Sequence, residues 1–419
     1  MMKLINRLKE IFSIEELKNK ILLTIGLIAV YRFMAAVPLP GIDPLQLSAL
    51  KESTSGGLLG LLNAFTGGAF ARASVMALGI MPYISASIVV QLMGIAVPYL
   101  QKLQKDGESG RKKITQITRW LTIGITLVQA PTYITAIKTQ FGLGPEAFLV
   151  SGATFWVSSI IILTAGTIFA MWLGERITDK GVGNGISLLI TVGIIANFPA
   201  AFLQEFVAKT TNAGAGGLMM ILIEIIVWFV VILLSVLLVT AVRKIAVQYA
   251  RRAVAGNVQN VAGSRDYIPL KLNAAGVMPI IFAQAIMFLP VALAQRFPII
   301  AGLQDMNGLW YNVVFALLII IFSYFYTAIT IPTNKMAEDL KRSGGFIPGI
   351  RPGKDKADKL DSILSKITFP GSLFLAMLSI LPAIVVQFGV QQSWAMFYGG
   401  TSLITVSYTH LTLPTNREV

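Results

Sequence analysis

Long apolar stretches recur along the chain and are separated by polar connections. Each stretch contains about 20 residues, the length that an α-helix needs to cross the hydrocarbon core of a bilayer. The stretches occupy residues 21–38, 74–98, 117–137, 153–173, 184–206, 218–242, 273–295, 310–331 and 367–388. A tenth stretch begins near Trp394 and breaks off. The pattern therefore predicts an all-α polytopic membrane protein with ten spans, of which the tenth is truncated.

The polar connections are alternately basic and almost uncharged. Most of the 34 Lys and Arg residues fall in residues 1–20, 99–116, 174–183, 243–272 and 332–366. Basic connections of membrane proteins remain on the cytoplasmic side, so we expect a cytoplasmic N-terminus. Residues 1–20 are amphipathic and lack the small-residue cleavage pattern of a signal peptide. We expect them to lie on the cytoplasmic face of the membrane.

Composition supports the membrane class and narrows the chemistry. The chain is 55% hydrophobic and 13% charged, and its net charge of +14 is spread over several cytoplasmic connections. That distribution favours anionic lipid or an acidic partner over DNA. Cys is absent, the one His is His410, and no G-x-x-x-x-G-K-[ST] phosphate loop occurs. We therefore expect no disulfide, metal site, cofactor or enzymatic activity.

The order of the spans divides the chain into two halves. Five spans precede the connection around Gly214 and five follow it, so the halves enter the membrane from opposite sides. This parity permits an inverted repeat with a functional site where the halves meet. We assign residues 21–211 to the N-terminal half and residues 212–404 to the C-terminal half. Residues 405–419 are polar and contain Pro414, and we expect them to be an aberrant tail in place of most of the tenth span.

The first outer connection contains an apolar segment, residues 57–70, that is bracketed by glycine pairs. Its apolar part is far too short to cross a bilayer. Two interpretations are open: a helix lying on the outer surface, or a re-entrant piece that dips between the spans. The residues alone do not favour one of them.

The second span carries polar side chains at Ser85, Ser87 and Gln91. Polar groups at membrane depth usually face a protein or water interior, although each could simply bond a neighbouring helix. Ile80 and Ile84 are four residues apart and therefore share one face of the same span.

Several runs of residues resemble the SecY family of protein-conducting channels, and the resemblance covers about residues 5–404. The runs are ALGIMPYISASIVVQ at 77–91, KDGESGRKK at 105–113, GERITDKGVGNGIS at 174–187, PLKLNAAGVMPIIF at 269–282 and GFIPGIRPG at 345–353. The resemblance implies an hourglass channel of two inverted five-helix halves. Such a channel passes unfolded preproteins across the membrane and releases hydrophobic segments sideways into lipid.

The resemblance also implies the residues of the pore. Segment 57–70 is similar to the family's plug, with an apolar face made by Leu58, Leu59, Leu61, Leu62 and Phe65. The family's constriction ring corresponds to Ile80, Ile84, Ile186, Ile190 and Ile281. A ring of bulky apolar side chains dewets when the pore is empty and so holds back ions. Isoleucine is nevertheless common in any membrane helix. A sixth ring position falls on Thr405, which we do not assign.

The family's lateral gate lies between spans two and three on one side and spans seven and eight on the other. The polar positions implied for it are Ser85, Ser87, Gln91, Gln129 and Asn273. A few hydrogen bonds of about 1 kcal/mol or less each would hold such a seam shut.

Docking surfaces are expected in the basic cytoplasmic connections, although topology alone explains most of their charges. The candidate residues are Arg111, Lys112, Lys113, Arg251, Arg252 and Arg351. The implied partners are a SecA-like motor ATPase, the ribosome, SecE-like and SecG-like small membrane subunits, signal sequences of preproteins and membrane lipid. The resemblance is to the bacterial branch of the family, so the expected location is the bacterial plasma (inner) membrane.

An ion-coupled secondary transporter with inverted repeats is the main alternative. Such transporters usually need carboxylates or His inside the membrane to carry the coupling ion. Here only Glu224 lies well inside a span, and Arg32 near the outer end of the first span is the one basic residue at depth. The sparse charge argues against proton coupling, and the family resemblance offers no role for Glu224.

Overall fold

The fold is taken from a computed structural model. It describes residues 13–43, 63, 66–139, 148–150, 152–211, 217–249, 265–294, 302–303, 305, 307–331, 333–342, 345–346 and 354–399. Several predicted positions lie outside these residues: Leu58, Leu59, Leu61, Leu62, Phe65, Arg251, Arg252, Arg351 and the tail 405–419.

Within the described residues, the first part of the chain forms six helices and the remainder adds six more. The first six are α1 (Glu15–Ala36), α2 (Met81–Ala96), α3 (Pro98–Lys105), α4 (Gly107–Thr139), α5 (Ala153–Lys180) and α6 (Gly185–Thr211). The others are α7 (Gly217–Thr240), α8 (Met278–Ala294), α9 (Leu309–Thr330), α10 (Thr333–Arg342), α11 (Lys354–Gln387) and α12 (Gln392–Ala395). Among the described residues, seven helices are long and apolar enough to span a membrane, or eight if α2 and α3 form one broken span.

The predicted single span over 74–98 is wrong in its bounds. Residues 66–80 run as turns, and Ala73 and Gly79 have positive φ, which an α-helix does not allow. The helix begins only at Met81, with a proline in its first turn, where the missing N–H costs nothing. It breaks again at Val97, because a residue before proline is pushed into extended backbone. The axes of α2 and α3 differ by 101° as a result.

The seventh predicted span, 273–295, is also shorter in the structure. Residues 272–277 form turns, with Gly276 at positive φ, and α8 begins at Met278. At about 1.5 Å per residue, its 17 residues extend about 26 Å, slightly less than a hydrocarbon core of roughly 30 Å.

The chain divides into two compact units. The first unit contains α1–α6 together with α12, and the second contains α7–α11 and a small sheet. The first unit has an apolar core around Leu39, Phe70, Tyr133 and Phe155. In the second, α8, α9 and α11 pack around Ile280, Phe315 and Leu375.

A three-stranded sheet occupies part of the basic connections 243–272 and 332–366, where we predicted only loops. Its strands are β1 (Val242–Tyr249), β2 (Arg265–Lys271) and β3 (Gly345–Phe346), in the order β2-β1-β3. β1 and β2 pair antiparallel from Val242 opposite Lys271 to Gln248 opposite Arg265. Ile245 and Val247 are two residues apart, so they share one face, which is buried against α10 and α11.

Candidate functional site

The predicted ring isoleucines of the first unit lie at the amino-terminal ends of two helices, α2 and α6. Ile80 caps α2 and accepts a hydrogen bond from the Ile84 N–H, and their side chains are 3% and 8% exposed. Ile186 and Ile190 lie in the first two turns of α6. Ile190 is buried and Ile186 is partly buried. Each pair is spaced by four residues, so each pair presents one continuous apolar strip on its helix.

The remaining isoleucine belongs to the second unit. Ile281 lies in the first turn of α8, is partly buried, and packs against the core around Ile280 and Phe315. A ring that includes Ile281 would join side chains of both units, so the ring as a whole stays a prediction.

The polar side chains predicted for the lateral gate differ in how many of their hydrogen-bonding groups have a partner. Gln91 donates to the Ser87 hydroxyl at 3.4 Å within α2, and Ser85 and Gln129 are partly buried. Asn273 is 9% exposed, and within the described chain its Nδ2 has no hydrogen-bond partner. A buried amide without an acceptor costs about 1–3 kcal/mol, so Asn273 can gain from an acceptor supplied by another group. The seam between the units stays a prediction.

The last residues of the predicted plug and the three residues that follow it, which we call the plug base (residues 66–73), are densely hydrogen-bonded. Asn63 accepts from the N–H groups of Gly68 and Ala71, through its carbonyl and its side chain respectively. The Tyr133 hydroxyl donates to the Phe70 carbonyl at 2.8 Å, and the two rings are 4.8 Å apart. The plug base is therefore held to the first unit by several hydrogen bonds and by the packing of Phe70 on Tyr133.

Two arginines bind carbonyl groups of the plug base. Arg32 of α1 donates to the Gly67 carbonyl at 2.9 Å. Arg72 donates to the same carbonyl and to that of Gly68, both at 3.1 Å. The sequence marks Arg32 as a basic residue at membrane depth, but no pattern in it predicts this contact.

Position 67 requires glycine for two reasons. Gly67 has φ of +65°, a left-handed conformation that residues with a Cβ rarely adopt. A Cβ there would also lie 2.9 Å from the Gly193 backbone in α6 and would collide with the Arg32 guanidinium. The plug base therefore fits closely between α1 and α6.

The predicted docking residues that the structure describes are accessible. Arg111, Lys112 and Lys113 are exposed in the first turns of α4, and Lys112 forms a surface ion pair with Glu108. In the sheet, Gln248 and Tyr249 pair with Phe346 and Gly345. This pairing brings together the segments that lead to Arg251 and to Arg351.

Two ion pairs in the first unit were missed by sequence reasoning. Arg119 of α4 binds Glu175 of α5 with two bonds of 2.9 and 2.7 Å. Glu205 and Lys209 of α6 are 3.6 Å apart, with side chains 2% and 6% exposed. The spacing of four residues between Glu205 and Lys209 was a usable signal, but both lie at a predicted span end, where charge is unremarkable.

Glu205 also binds the segment Gln391–Met396, which belongs to the first unit. Its second carboxylate oxygen accepts from the Gln391 N–H at 2.8 Å. Trp394 is buried against Phe198 and Phe202, each with its ring centre 5.3 Å away. One strip of α6 therefore holds this segment by both apolar and charged contacts.

The helices and these sites define an α-helical, multi-pass membrane protein, and the described residues contain no cluster of His, Asp or Glu that could hold a metal ion. The family model described as SecY matches residues 74–413. A relative from Aquifex aeolicus, named protein translocase subunit SecY, is 38% identical and covers 98% of this chain and 96% of its own. The chain belongs to the SecY family.

Solved structures share the fold. One is a SecY channel studied for the role of its plug domain in stabilising the closed state and maintaining a membrane seal. It has a TM-score of 0.63 at 20% identity and covers 95% of this chain and 92% of its own. Another is Sec61 in the canine ribosome–channel complex, with a TM-score of 0.55 at 18% identity and the same coverage.

Proposed function

We propose that this chain is the channel-forming subunit of a protein translocase. Unfolded preproteins cross the membrane through it, and hydrophobic segments leave it sideways into lipid. The observation that carries the proposal is the relationship to a translocase subunit over 98% of the chain. The ion-coupled transporter is not favoured, because the relatives are translocase subunits and the described spans carry few charges.

The sites follow from this function. The isoleucines Ile80, Ile84, Ile186, Ile190 and Ile281 form the constriction, and segment 57–70 closes it from the outer side. The polar positions Ser85, Ser87, Gln91, Gln129 and Asn273 face the lateral gate. The buried Ile80, Ile84 and Ile190, the partnerless Asn273 amide and the built plug base support these roles.

The partners follow from the same proposal. The motor or the ribosome docks on the basic residues Arg111, Lys112, Lys113, Arg251, Arg252 and Arg351, and small SecE-like and SecG-like subunits complete the complex. Exposure of the described members on α4 supports docking, as does the ribosome complex of the structurally similar Sec61. The chain is then a protein of the bacterial plasma membrane with its N-terminus in the cytoplasm.

Translocation in a defined system tests the proposal. The chain would be co-expressed with SecE-like and SecG-like subunits, reconstituted in vesicles, and supplied with a SecA-like motor, ATP and a secretory precursor. We expect the precursor to become protected from protease, and a precursor without its signal sequence to remain accessible. A second chain has residues 405–419 replaced by an apolar helix. It shows whether a failure is caused by the tail or by a wrong assignment of function. Failure of both chains to move the precursor would contradict the proposed function.

A further inference from the structure

Arg32 is a cation within a membrane-spanning helix, and such residues are costly unless their donors are satisfied. It lies near the carboxyl end of α1 and is partly buried. Among the described residues no carboxylate forms an ion pair with it. The partner that the structure gives it is the Gly67 carbonyl, 35 residues further along the chain.

Arg72 makes this arrangement unusual, because its guanidinium donates to the same carbonyl. Two like charges that converge on one acceptor repel each other. The negative end of the carbonyl dipole lies between them and offsets that repulsion. The pair is therefore favourable only while the Gly67 carbonyl is in place.

The two arginines differ in what they connect. Arg72 is four and five residues from its acceptors, so it closes a local turn and moves with the plug base. Arg32 comes from another element and joins the plug base to α1. Gly67 also lies close to the Gly193 backbone, because a Cβ at position 67 would approach that backbone to 2.9 Å.

We infer that Arg32 is a positioning residue that latches the plug base to α1 in the resting channel, an inference that rests on the proposed function. Movement of the plug base away from α1 breaks the Arg32–Gly67 bond. It also leaves two guanidinium groups facing each other without their shared acceptor. Both effects favour the seated plug, so Arg32 sets the balance between the resting and the open channel.

Substitutions of Arg32 test the latch in the complete channel complex. We expect Arg32→Met and Arg32→Gln to raise resting ion conductance by about tenfold or more, since a hydrogen bond from a charged donor contributes about one to two decades to an equilibrium constant. Export of a precursor with a weakened signal sequence should rise as well, while the normal precursor is still moved. Arg32→Lys keeps the charge and one donor, and it should restore most of the seal.

Matched variants separate the latch from a general defect. Phe33→Leu changes the next residue of α1, whose side chain is 70% exposed, and should leave conductance unchanged. Gly67→Ala disrupts the same hydrogen bond at its acceptor residue, because the added Cβ would displace the Arg32 guanidinium. It should reproduce the leak even if the Arg32 variants do not assemble.

The outcomes are distinguishable from failure of the proposed function. If neither the unaltered chain nor the chain with residues 405–419 replaced by an apolar helix moves the normal precursor, the proposed function is wrong. If either chain is active, and Arg32→Met and Gly67→Ala channels assembled in that chain are as tight to ions as their parent, the latch does not exist. The latch would also be overturned if Arg32→Lys channels leaked as much as Arg32→Met channels. Loss of the Arg32–Gly67 bond would then not be the cause of the leak.

Discussion

At the scale of single residues, side-chain chemistry distinguishes the proposed constriction from the proposed lateral gate. Ile80, Ile84 and Ile190 are buried and apolar, and they have no group that could hold a passing chain. Asn273 retains an amide without an acceptor in the described chain. The isoleucines suit a seal that must not bind its substrate, whereas the amide suits a seam that must open and close.

Polar substitution of the isoleucines should make the resting channel leak. Ile84→Asn combined with Ile190→Asn places hydrogen-bonding groups where water is otherwise excluded, so the constriction no longer dewets. We expect a several-fold rise in ion conductance of the reconstituted resting channel. Ile84→Leu keeps volume and polarity nearly constant and should not leak. Unchanged conductance in an assembled double variant would remove these two residues from the ring.

At the scale of elements, the helices that the sequence predicted well are those with long apolar runs and no internal breaks. The bounds of α7 and α9 lie within two residues of their predicted spans, 218–242 and 310–331, for that reason. The predicted bounds of the second span were wrong because two residues with left-handed backbone conformation, and Pro98, interrupt an apolar run. Hydropathy does not register backbone conformation. The sheet was missed because the alternation in Val242–Tyr249 is short and carries charges.

The strip of α6 that holds Gln391–Met396 should depend on its buried ion pair. Glu205→Ala removes the acceptor of the Gln391 N–H and leaves the Lys209 ammonium buried beside a cavity. Breaking a buried pair from one side costs about 3 kcal/mol or more. We expect a clear drop in the thermal unfolding temperature of the purified complex.

Two comparison variants complete that measurement. Glu338→Ala removes an exposed carboxylate of α10 and should have little effect. Glu205→Gln with Lys209→Met removes both charges while keeping an oxygen acceptor for Gln391. This double variant should recover much of the loss. Equal stability of Glu205→Ala and the unaltered protein would show that the pair contributes nothing.

At the scale of the whole molecule, the sequence predicts the class and the candidate residues, but not the assembled site. The ring and the gate require side chains of both units to meet, and a local pattern cannot report that. The Glu205 contact with Gln391 is another example, because its partners are 186 residues apart. The family resemblance supplied the residues of the ring, while the contacts of Arg32 came from the structure.

Charge reversal in the basic connection 332–366 should separate two activities of the whole complex, secretion and membrane insertion. Arg351→Glu places a negative charge between Pro348 and Pro352, in the segment that follows β3. We expect motor-driven secretion to fall more than insertion of membrane proteins, because docking of the motor depends on positive charge. Lys180→Glu, at the exposed end of α5, is the control for charge alone, because Lys180 is not among the proposed docking residues. Equal losses in secretion and insertion would contradict a motor-docking role for Arg351.

The segment Gln391–Met396 has a consequence for biosynthesis. The last described residue of the first unit's continuous run is Thr211, yet one strip of α6 contacts residues from Gln391 onward. At about 5–20 residues per second, the ribosome reaches Gln391 roughly ten to forty seconds after Thr211. During this interval Phe198, Phe202 and Glu205 lack their final neighbours. The first unit is thus completed late in translation, and a nascent chain halted before Gln391 should expose this strip to chaperones or small membrane subunits.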